Sequence, residues 1–538
     1  MPRVRILVPA VAAVLGALLL VPMLAPGNAH AGVHTPEPFE LTGSGFEHSI
    51  QMSLLPNSKE NTNAIVQNAG VTPATIVMNF YTSLGILIPS ASQVFTGVEV
   101  GGTRTFVQAL NDGLLSGFRG VGVIESDQKI NAILARDIRA ASFEKAYSIH
   151  NAFPTGGTTV SLPFIANNLS GVFNTRFAIA NTGTSTACVT VEYAFAVPVG
   201  KAPFTDTGSG AGCASGYPIP AGGQLAFAPN AVDGATPMPV ATIGGFMAAT
   251  VKSTVPVTVS VDSYRSPGNG FPLGSYDGFV FESTASVTDD HSTDILIPLN
   301  LKTADGFYSQ TLLSNPNATA ASATLTYSGT VSGVPMTPIA VPLVVPAKGT
   351  VSYGVYQPGN TVPFGFIGSA RVTVDNGVPI AAVVFRGKMT TGGSFIYDDL
   401  YTAYNGIPAE HAAKSVSLPL VFRRAYSTGP FSGFNSWISV KVADGGTASV
   451  TVTAVADTTT GAPGCSTPAT YTTTKTITGS LVFFQNSDDT TINGFGANPG
   501  CFWGAVTITS DVDIVAIANV TNDLNVGDND GTYNAFLD

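Results

Sequence analysis

The chain has 538 residues, of which only 11% are charged, and its 23 Lys and Arg against 34 Asp and Glu give a net charge of −11. An acidic chain with so few cationic side chains has no basic surface for a phosphate backbone, which excludes nucleic acid as a partner. The length is sufficient for several domains of ordinary size.

The N-terminus is typical of an export signal. Two arginines precede a long apolar run, Pro26 and Gly27 end that run, and small residues follow it. We expect cleavage of residues 1–31 and a linker over 32–46; an uncleaved anchor is the alternative, because the run approaches membrane-spanning length. Cleavage removes two positive charges, so the mature net charge is −11 less two, or −13. The protein is therefore expected to be secreted or on the cell surface, with no membrane span in the mature chain.

Beyond this leader, four stretches carry the same landmarks in the same order, which indicates an internal repeat. Each stretch opens on an apolar-Pro step, turns at an Asn or Asp, and closes on a short motif. The opening prolines are Pro56, Pro163, Pro298 and Pro419, and the closing motifs are HNAF (150–153), YDGF (276–279), YNGI (404–407) and YNAF (533–536). The landmarks predict four repeats, over 47–153, 154–285, 286–409 and 410–538.

Each repeat consists of short runs of alternating apolar residues, separated by turns about every 8–12 residues. Two sheets packed face to face bury the apolar side of such strands, so we expect a β-sandwich of about seven strands per repeat. The run 127–146 has helical composition, but the corresponding runs STVPVTVSV (253–261) and SDVDIVAIA (510–518) resemble strands. We therefore expect a strand from Gln128 to Ala135 and a helical turn only after it. The predicted fold class is all-β, with four tandem sandwiches in a row.

The order and spacing of these landmarks resemble those of the immunoglobulin-like β-sandwich repeats that occur in tandem in bacterial surface and secreted proteins. The resemblance covers nearly all of the mature chain, from about Phe46. The Cys, Trp and Cys core of antibody domains is missing, because Trp437 and Trp503 both lie in the fourth repeat. The resemblance implies a non-enzymatic extracellular structural or interaction protein, such as a surface-layer, filament or stalk component. The implied partners are further copies of the chain, other surface proteins or glycans.

Two other classes of function are left as alternatives. An adhesin or glycan-binding module would use aromatic side chains, for which Tyr81, Tyr193, Tyr264 and Trp503 are the candidates. A secreted hydrolase would need a catalytic constellation, and the chain contains no G-x-S-x-G elbow and no H-E-x-x-H motif. We therefore predict no enzyme activity, no catalytic residue and no bound cofactor.

Two loops resemble known sites only in part. FTDTGSG (204–210) places Asp206 in a sequence similar to the aspartic-protease signature, but the chain has no second D-T-G or D-S-G to supply the partner carboxylate. NVGDNDGTYN (525–534) places Asp528 and Asp530 as in a calcium loop, but Val526 occupies the first ligand position. We expect a polar loop in the first case and a turn between strands in the second.

An acidic residue precedes a histidine at three of the four repeat boundaries. These pairs are Glu47-His48, Asp290-His291 and Glu410-His411. The simpler interpretation is a solvated linker; the functional one is a seam whose stiffness depends on pH or on a divalent ion. At the boundary between the second and third repeats, the candidate metal ligands are Asp289, Asp290, His291 and Asp294, with Ca²⁺ as the candidate ion.

The four cysteines form two groups, Cys188 with Cys213 and Cys465 with Cys501, and each group lies within one repeat. An even number of cysteines in an exported protein points to disulfides. We expect two bridges, each closed within its own repeat.

Overall fold

The computed structural model describes residues 48–53, 60–139, 145–153, 155–169, 173–229, 235–238, 244–265, 273–281, 290–304, 306–357, 359–389, 397–425, 434–457, 470–496, 500–522 and 530–537. Most of these residues are in β-strands, and none is in an α-helix, which confirms the all-β fold class. Among the described residues, short 3-10 turns occur at Pro89–Ala91, Gln108–Leu110 and Ala409–His411. No helix of the described part is long and apolar enough to cross a bilayer.

The first stretch, residues 48–151, forms two antiparallel sheets of four strands each. Its strands are β1 (His48–Ser53), β2 (Glu60–Asn68), β3 (Ala74–Thr82), β4 (Gln93–Val98), β5 (Thr103–Val107), β6 (Gly120–Ser126), β7 (Ile130–Arg139) and β8 (Lys145–Asn151). One sheet has the order β1-β6-β3-β4 and the other β5-β2-β7-β8. Alternate residues of β3 such as Ile76 and Phe80 are fully buried with Leu134 of β7, so the two sheets enclose one apolar core.

The second stretch, residues 157–280, contains one strand that serves two groups of partners. Its strands are β9 (Gly157–Asn167), β10 (Phe173–Asn181), β11 (Ala187–Val197), β12 (Phe204–Asp206), β13 (Tyr217–Ile219), β14 (Gln224–Ala228), β15 (Thr236–Pro237), β16 (Gly245–Arg265), β17 (Leu273–Asp277) and β18 (Phe279–Val280). The first half of β16 pairs with β9 and β11, and its second half pairs with β10 and β17. Strand β14 pairs with β10, β12 and β13 pair with β11, β15 pairs with β14, and β18 pairs with β9.

The third stretch, residues 294–408, again has two groups of strands. Its strands are β19 (Asp294–Ala304), β20 (Phe307–Ser314), β21 (Ala321–Val331), β22 (Val334–Pro335), β23 (Ile339–Val345), β24 (Thr350–Gly354), β25 (Phe366–Val374), β26 (Ala381–Met389), β27 (Tyr397–Asn405) and β28 (Ile407–Pro408). One group runs β19-β25-β21-β23 and the other β24-β20-β26-β27. Strand β22 pairs with β21, and β28 pairs with β19.

The fourth stretch, residues 413–537, contains a second long strand shared by two groups. Its strands are β29 (Ala413–Arg423), β30 (Phe434–Val442), β31 (Thr447–Ala456), β32 (Tyr471–Thr478), β33 (Ser480–Phe484), β34 (Phe502–Asn522), β35 (Gly531–Asn534) and β36 (Phe536–Leu537). The first half of β34 pairs with β29 and β31, and its second half pairs with β30 and β35. Strand β32 extends β31, β33 extends β30, and β36 pairs with β29.

The described part of the run with helical composition contains a strand where a helix could have been expected. Strand β7 begins at Ile130, so the expected strand over Gln128 to Ala135 is confirmed from Ile130 onward. The helical turn expected after Ala135 is wrong as far as Arg139, because β7 continues there in register with both β2 and β8. Pairing on both sides overrides the local helix propensity.

The four stretches do not lie in a row. Strands β8, β17, β27 and β35, which close the stretches, pack against one another. Tyr147 and Ile149 of β8 belong to the same apolar core as Tyr533 of β35, so the first stretch contacts the last. The expected linear row of sandwiches is therefore wrong, because apolar residues on the outer face of the β2-β7-β8 sheet are buried by the fourth stretch.

The disulfide between Cys188 and Cys213 is confirmed, with an S–S distance of 2.00 Å. It ties β11 to the loop that precedes β13. Cys501 is also disulfide-bonded, and its predicted partner Cys465 lies outside the described residues.

Candidate functional site

In three of the stretches, a tyrosine of the closing strand forms hydrogen bonds to the backbone of the opening strand. Strands β9, β19 and β29 each have an irregularity in register beside a proline, where ladder hydrogen bonds are interrupted. The Tyr533 hydroxyl accepts from the Leu420 N–H at 3.1 Å and donates to the Leu420 carbonyl oxygen at 2.6 Å. The same two contacts join Tyr276 to Phe164 and Tyr404 to Leu299. Burial raises the pKa of all three hydroxyls, so they remain protonated donors.

The residue after each of these tyrosines belongs to a closed set of hydrogen bonds, which we call the amide ring; its members are Asn151, Asp277, Asn405 and Asn534. The Asn151 side chain donates to the Asn534 carbonyl at 2.8 Å and accepts from the Asn534 N–H at 3.0 Å. Asn534 donates to the Asn405 carbonyl at 2.8 Å, and Asn405 donates to the Asp277 carbonyl at 2.9 Å. The Asp277 carboxylate accepts from the Asn151 N–H at 3.3 Å, which closes the ring. All four stretches are thereby linked side chain to backbone.

Asp277 is the exception in the amide ring, because a carboxylate has no N–H with which to reach the Asn151 carbonyl. His150 supplies that donor: its Nδ1 lies 3.0 Å from the Asn151 carbonyl oxygen and 3.0 Å from Asp277 Oδ1. Both neighbours are acceptors, so Nδ1 carries the hydrogen. His150 stands where the other three stretches have tyrosine. The two departures from the common pattern therefore compensate each other.

The amide ring lines a partly open cavity of about 610 Å³, which we call the central cavity. The residue two positions after each ring member also lines it. These residues are Phe153, Phe279, Ile407 and Phe536. Among the described residues, the ionisable side chains on its wall are Lys129, Asp277, Asp290 and His411. A cavity of this size with apolar walls and a few convergent polar groups has the properties of a small-molecule site.

The four candidate metal ligands do not converge. Asp289 lies outside the described residues, Asp290 accepts from the Val280 N–H at 2.9 Å, and Asp294 forms an ion pair with Arg371. Within the described ranges, no group of three His, Cys, Asp or Glu residues is placed to hold a metal ion.

One of the three acid-His pairs lies at a packed seam rather than in a solvated linker. His291 is only 4% exposed, and its Nε2 lies 2.7 Å from Ser161 Oγ while its Nδ1 lies 3.1 Å from the Val280 carbonyl oxygen. Glu410 accepts from the Ser292 hydroxyl at 2.8 Å, and His411 lines the central cavity. His48 opens strand β1, and Glu47 lies outside the described residues. The solvated-linker interpretation is therefore wrong for His291.

The two loops that resemble known sites have internal partners. The Asp206 carboxylate accepts from the Tyr217 hydroxyl at 3.0 and 3.1 Å and from the Gly208 N–H at 3.1 Å, so it closes a turn. Asp530 is fully buried and pairs with Arg386 of the third stretch, so its carboxylate does not face a loop cavity. Asp528 lies outside the described residues.

Two of the four candidate glycan-contacting aromatics are core residues. Tyr193 and Trp503 are 0% and 1% exposed, respectively, so they cannot stack on a sugar. Tyr81 and Tyr264 are half-buried.

Sequence reasoning missed the buried ion pairs. Asp262 on β16 pairs with Arg136 of the first stretch and with Arg176 of its own. Burial alone would raise the pKa of the Asp262 carboxyl, but the two guanidinium groups hold it well below its usual range. In the sequence, a buried ion pair is indicated by a charged residue that follows an apolar run within a strand, as Arg386 does in AAVVFRGKM. Such a residue needs a buried partner, although the sequence does not identify which one.

No protein-family model matches the chain, and no curated protein is significantly similar to it.

Proposed function

We propose that the protein is an exported, non-enzymatic structural or interaction protein, built from four immunoglobulin-like β-sandwich repeats that follow a signal peptide over residues 1–31. The repeats correspond to 47–153, 154–285, 286–409 and 410–538. Self-association into a layer, filament or stalk is the function that the surface supports best. The Cys188–Cys213 disulfide is compatible with an extracellular location.

The recurrence of the strand pairing supports the repeat. In each stretch the opening strand pairs with β6, the first half of β16, β25 or the first half of β34. The closing strand pairs with the strand or half-strand that comes next in the chain, which is β7, the second half of β16, β26 or the second half of β34. The turn after the second strand also recurs. The Asn68, Asn181 and Asn315 carboxamides each donate to the backbone carbonyl four residues on, at 2.8 Å. Such buried asparagines tie one turn to a neighbouring strand in the same way each time.

The observation that carries the proposed self-association is the uncharged outer face of β31 and β32. Four cross-strand pairs on this face consist only of hydroxyl residues: Thr447 with Thr478, Ser449 with Thr476, Thr451 with Thr474, and Thr453 with Thr472. The Thr451 and Thr474 hydroxyls lie 2.9 Å apart. Within the described residues, β32 is the edge of its sheet, so its outer backbone groups are open to another copy. The one charged residue of β32, Lys475, pairs with Val450 on the opposite face, so the hydroxyl face itself lacks the charge repulsion that normally keeps such surfaces apart.

Light scattering and negative-stain electron microscopy of residues 32–538 test this proposal. We expect concentration-dependent ordered arrays or fibres, and we expect Thr474→Lys with Thr476→Lys to abolish them, because lysines on an edge strand oppose pairing. Ser116→Lys, on an exposed loop, is the matched control and should assemble normally. A wild-type protein that stays monomeric at every concentration would refute self-association. A glycan array on that monomer would then test the adhesin alternative.

A further inference from the structure

The central cavity combines apolar walls with a single break in an otherwise amide-lined ring. Phe153, Phe279, Ile407 and Phe536 stand at the same position of the four closing motifs, and all four line the cavity. Phe279 is only 1% exposed, so the apolar contacts open to a ligand come from the other three side chains, of which Phe536 is the most exposed. The volume of about 610 Å³ lies within the range that holds ligands of moderate size.

Three ring positions hold asparagines whose carboxamides are engaged with neighbouring backbone groups. The fourth holds the Asp277 carboxylate, whose side chain is 16% exposed. Its Oδ1 has His150 as a partner, and its Oδ2 has the Asn151 N–H. Each carboxylate oxygen can accept a second hydrogen bond, so Asp277 retains capacity for a donor that enters the cavity.

The charges that line the cavity favour a cation. Among the described residues, the wall carries two carboxyl groups, those of Asp277 and Asp290, and one lysine, Lys129. The Lys129 ammonium donates to the Leu537 carbonyl oxygen at 2.8 Å, which holds it at the chain terminus. His150 and His411 are the histidines nearest to these groups. A carboxylate within an apolar enclosure attracts an ammonium more strongly than it would in water.

We propose that the central cavity binds a small organic ammonium compound, whose N–H group donates to Asp277 and whose apolar body lies against Phe153, Ile407 and Phe536. The site is independent of the hydroxyl face on β31 and β32. Its chemistry is recognition of a primary or secondary amine that carries an apolar group, with no covalent step.

Isothermal titration calorimetry at pH 8 with phenethylamine, phenethyl alcohol and phenylacetate tests the proposal, since these probes share a body and differ in charge. We expect the amine to bind at least about tenfold more tightly than the alcohol, and the acid to bind least. Equal affinity for amine and alcohol, or no measurable binding of the amine, would overturn it. This comparison needs only the wild-type protein.

Asp277→Asn supplies the variant test, because asparagine is the residue at the other three ring positions and its oxygen can still accept from the Asn151 N–H. The amine should lose its advantage over the alcohol. The thermal midpoint should also fall, because the new amide N–H cannot accept from His150 Nδ1. Thr155→Trp, at the exposed rim of the cavity, should weaken all three probes by obstructing entry. Asp375→Asn, on a distant exposed turn, is the matched control and should bind like wild type. An unchanged preference for the amine in Asp277→Asn would refute the assignment of Asp277.

Discussion

The buried pair of Arg386 and Asp530 joins the third and fourth stretches, and its removal gives the sharpest stability prediction. Both side chains are 1% exposed, and the guanidinium carbon lies 4.9 Å from the centre of the Phe307 ring and 5.5 Å from that of Trp437. Arg386 Nε and Nη1 and Asp530 Oδ1 have no hydrogen-bond partner among the described residues. Burial raises the pKa of the Asp530 carboxyl, and Arg386 only partly opposes this. The pair is thus held together at a considerable desolvation cost.

Asp530→Asn leaves the guanidinium buried without a counter-charge and should lower the free energy of unfolding by about 3–5 kcal/mol. Arg386→Met leaves a buried carboxylate, which can escape part of the penalty by binding a proton, so its effect should be smaller near pH 5 than at pH 8. The double variant Arg386→Met with Asp530→Asn removes both charges. Because the pair is incompletely hydrogen-bonded, the double variant should lie within about 1–2 kcal/mol of wild type.

Urea unfolding followed by tryptophan fluorescence measures these effects, because Trp437 contacts the pair directly and Trp503 lies in the core of the fourth stretch. The coupling free energy from the double-mutant cycle is the decisive quantity. A double variant whose loss equals the sum of the two single losses would contradict the reasoning, since it would mean that the charges do not compensate each other.

Three further predictions concern single features. Burial, with Arg371 nearby, lowers the pKa of Lys441 to about 8. Between pH 8 and about 10.4 the unfolded chain holds a proton that the folded chain lacks, so stability should rise with pH by up to about 3 kcal/mol, and denaturation of Lys441→Met at pH 8 and 10 should show no such rise. Tyr533→Phe should cost about 1–3 kcal/mol in urea unfolding, because two backbone groups at Leu420 lose their partner, whereas the half-buried Tyr308→Phe should be nearly neutral. Replacing Cys188 and Cys213 by serine should cost about 3 kcal/mol, and hydrogen exchange should increase around β11 and β13 only; increases spread through the third and fourth stretches would contradict a local role.

Strand identity was predictable because one face of each strand is buried. The alternation in VTVEY and SATLTY is preserved as alternating burial in β11 and β21. The corresponding runs in the other repeats predict a strand at Ile130, although the local composition favours a helix, and the structure has that strand. Beyond Ala135 the other repeats gave no such indication, and the composition predicted a helical turn. The structure continues β7 to Arg139 because neighbouring strands supply hydrogen-bonding partners on both sides.

The contacts between stretches were not predictable from periodicity. Alternation reports which side of a strand is apolar, but it does not tell whether the opposite side meets solvent or another sheet. Ile65 and Ile133 lie on the opposite side from Ala64 and Leu134, and both sides are fully buried. A strand that is apolar on both faces is the sign of burial on both faces. The run NAILA in β7 has this pattern, which argues against an isolated sandwich.

The sequence also contains an indication of the amide ring. Asparagine and aspartate are disfavoured in strands, yet one of them closes the last strand in all four motifs. A polar residue that recurs four times at an unfavourable strand position is expected to have a hydrogen-bonding partner in each repeat. In a linear array of repeats, each of these residues would face only solvent. A closed arrangement gives each copy the backbone of another stretch. It also explains why the histidine of HNAF accompanies the aspartate of YDGF: the donor lost at Asp277 is restored by His150 on the neighbouring strand, so these two exceptions are a single compensated change.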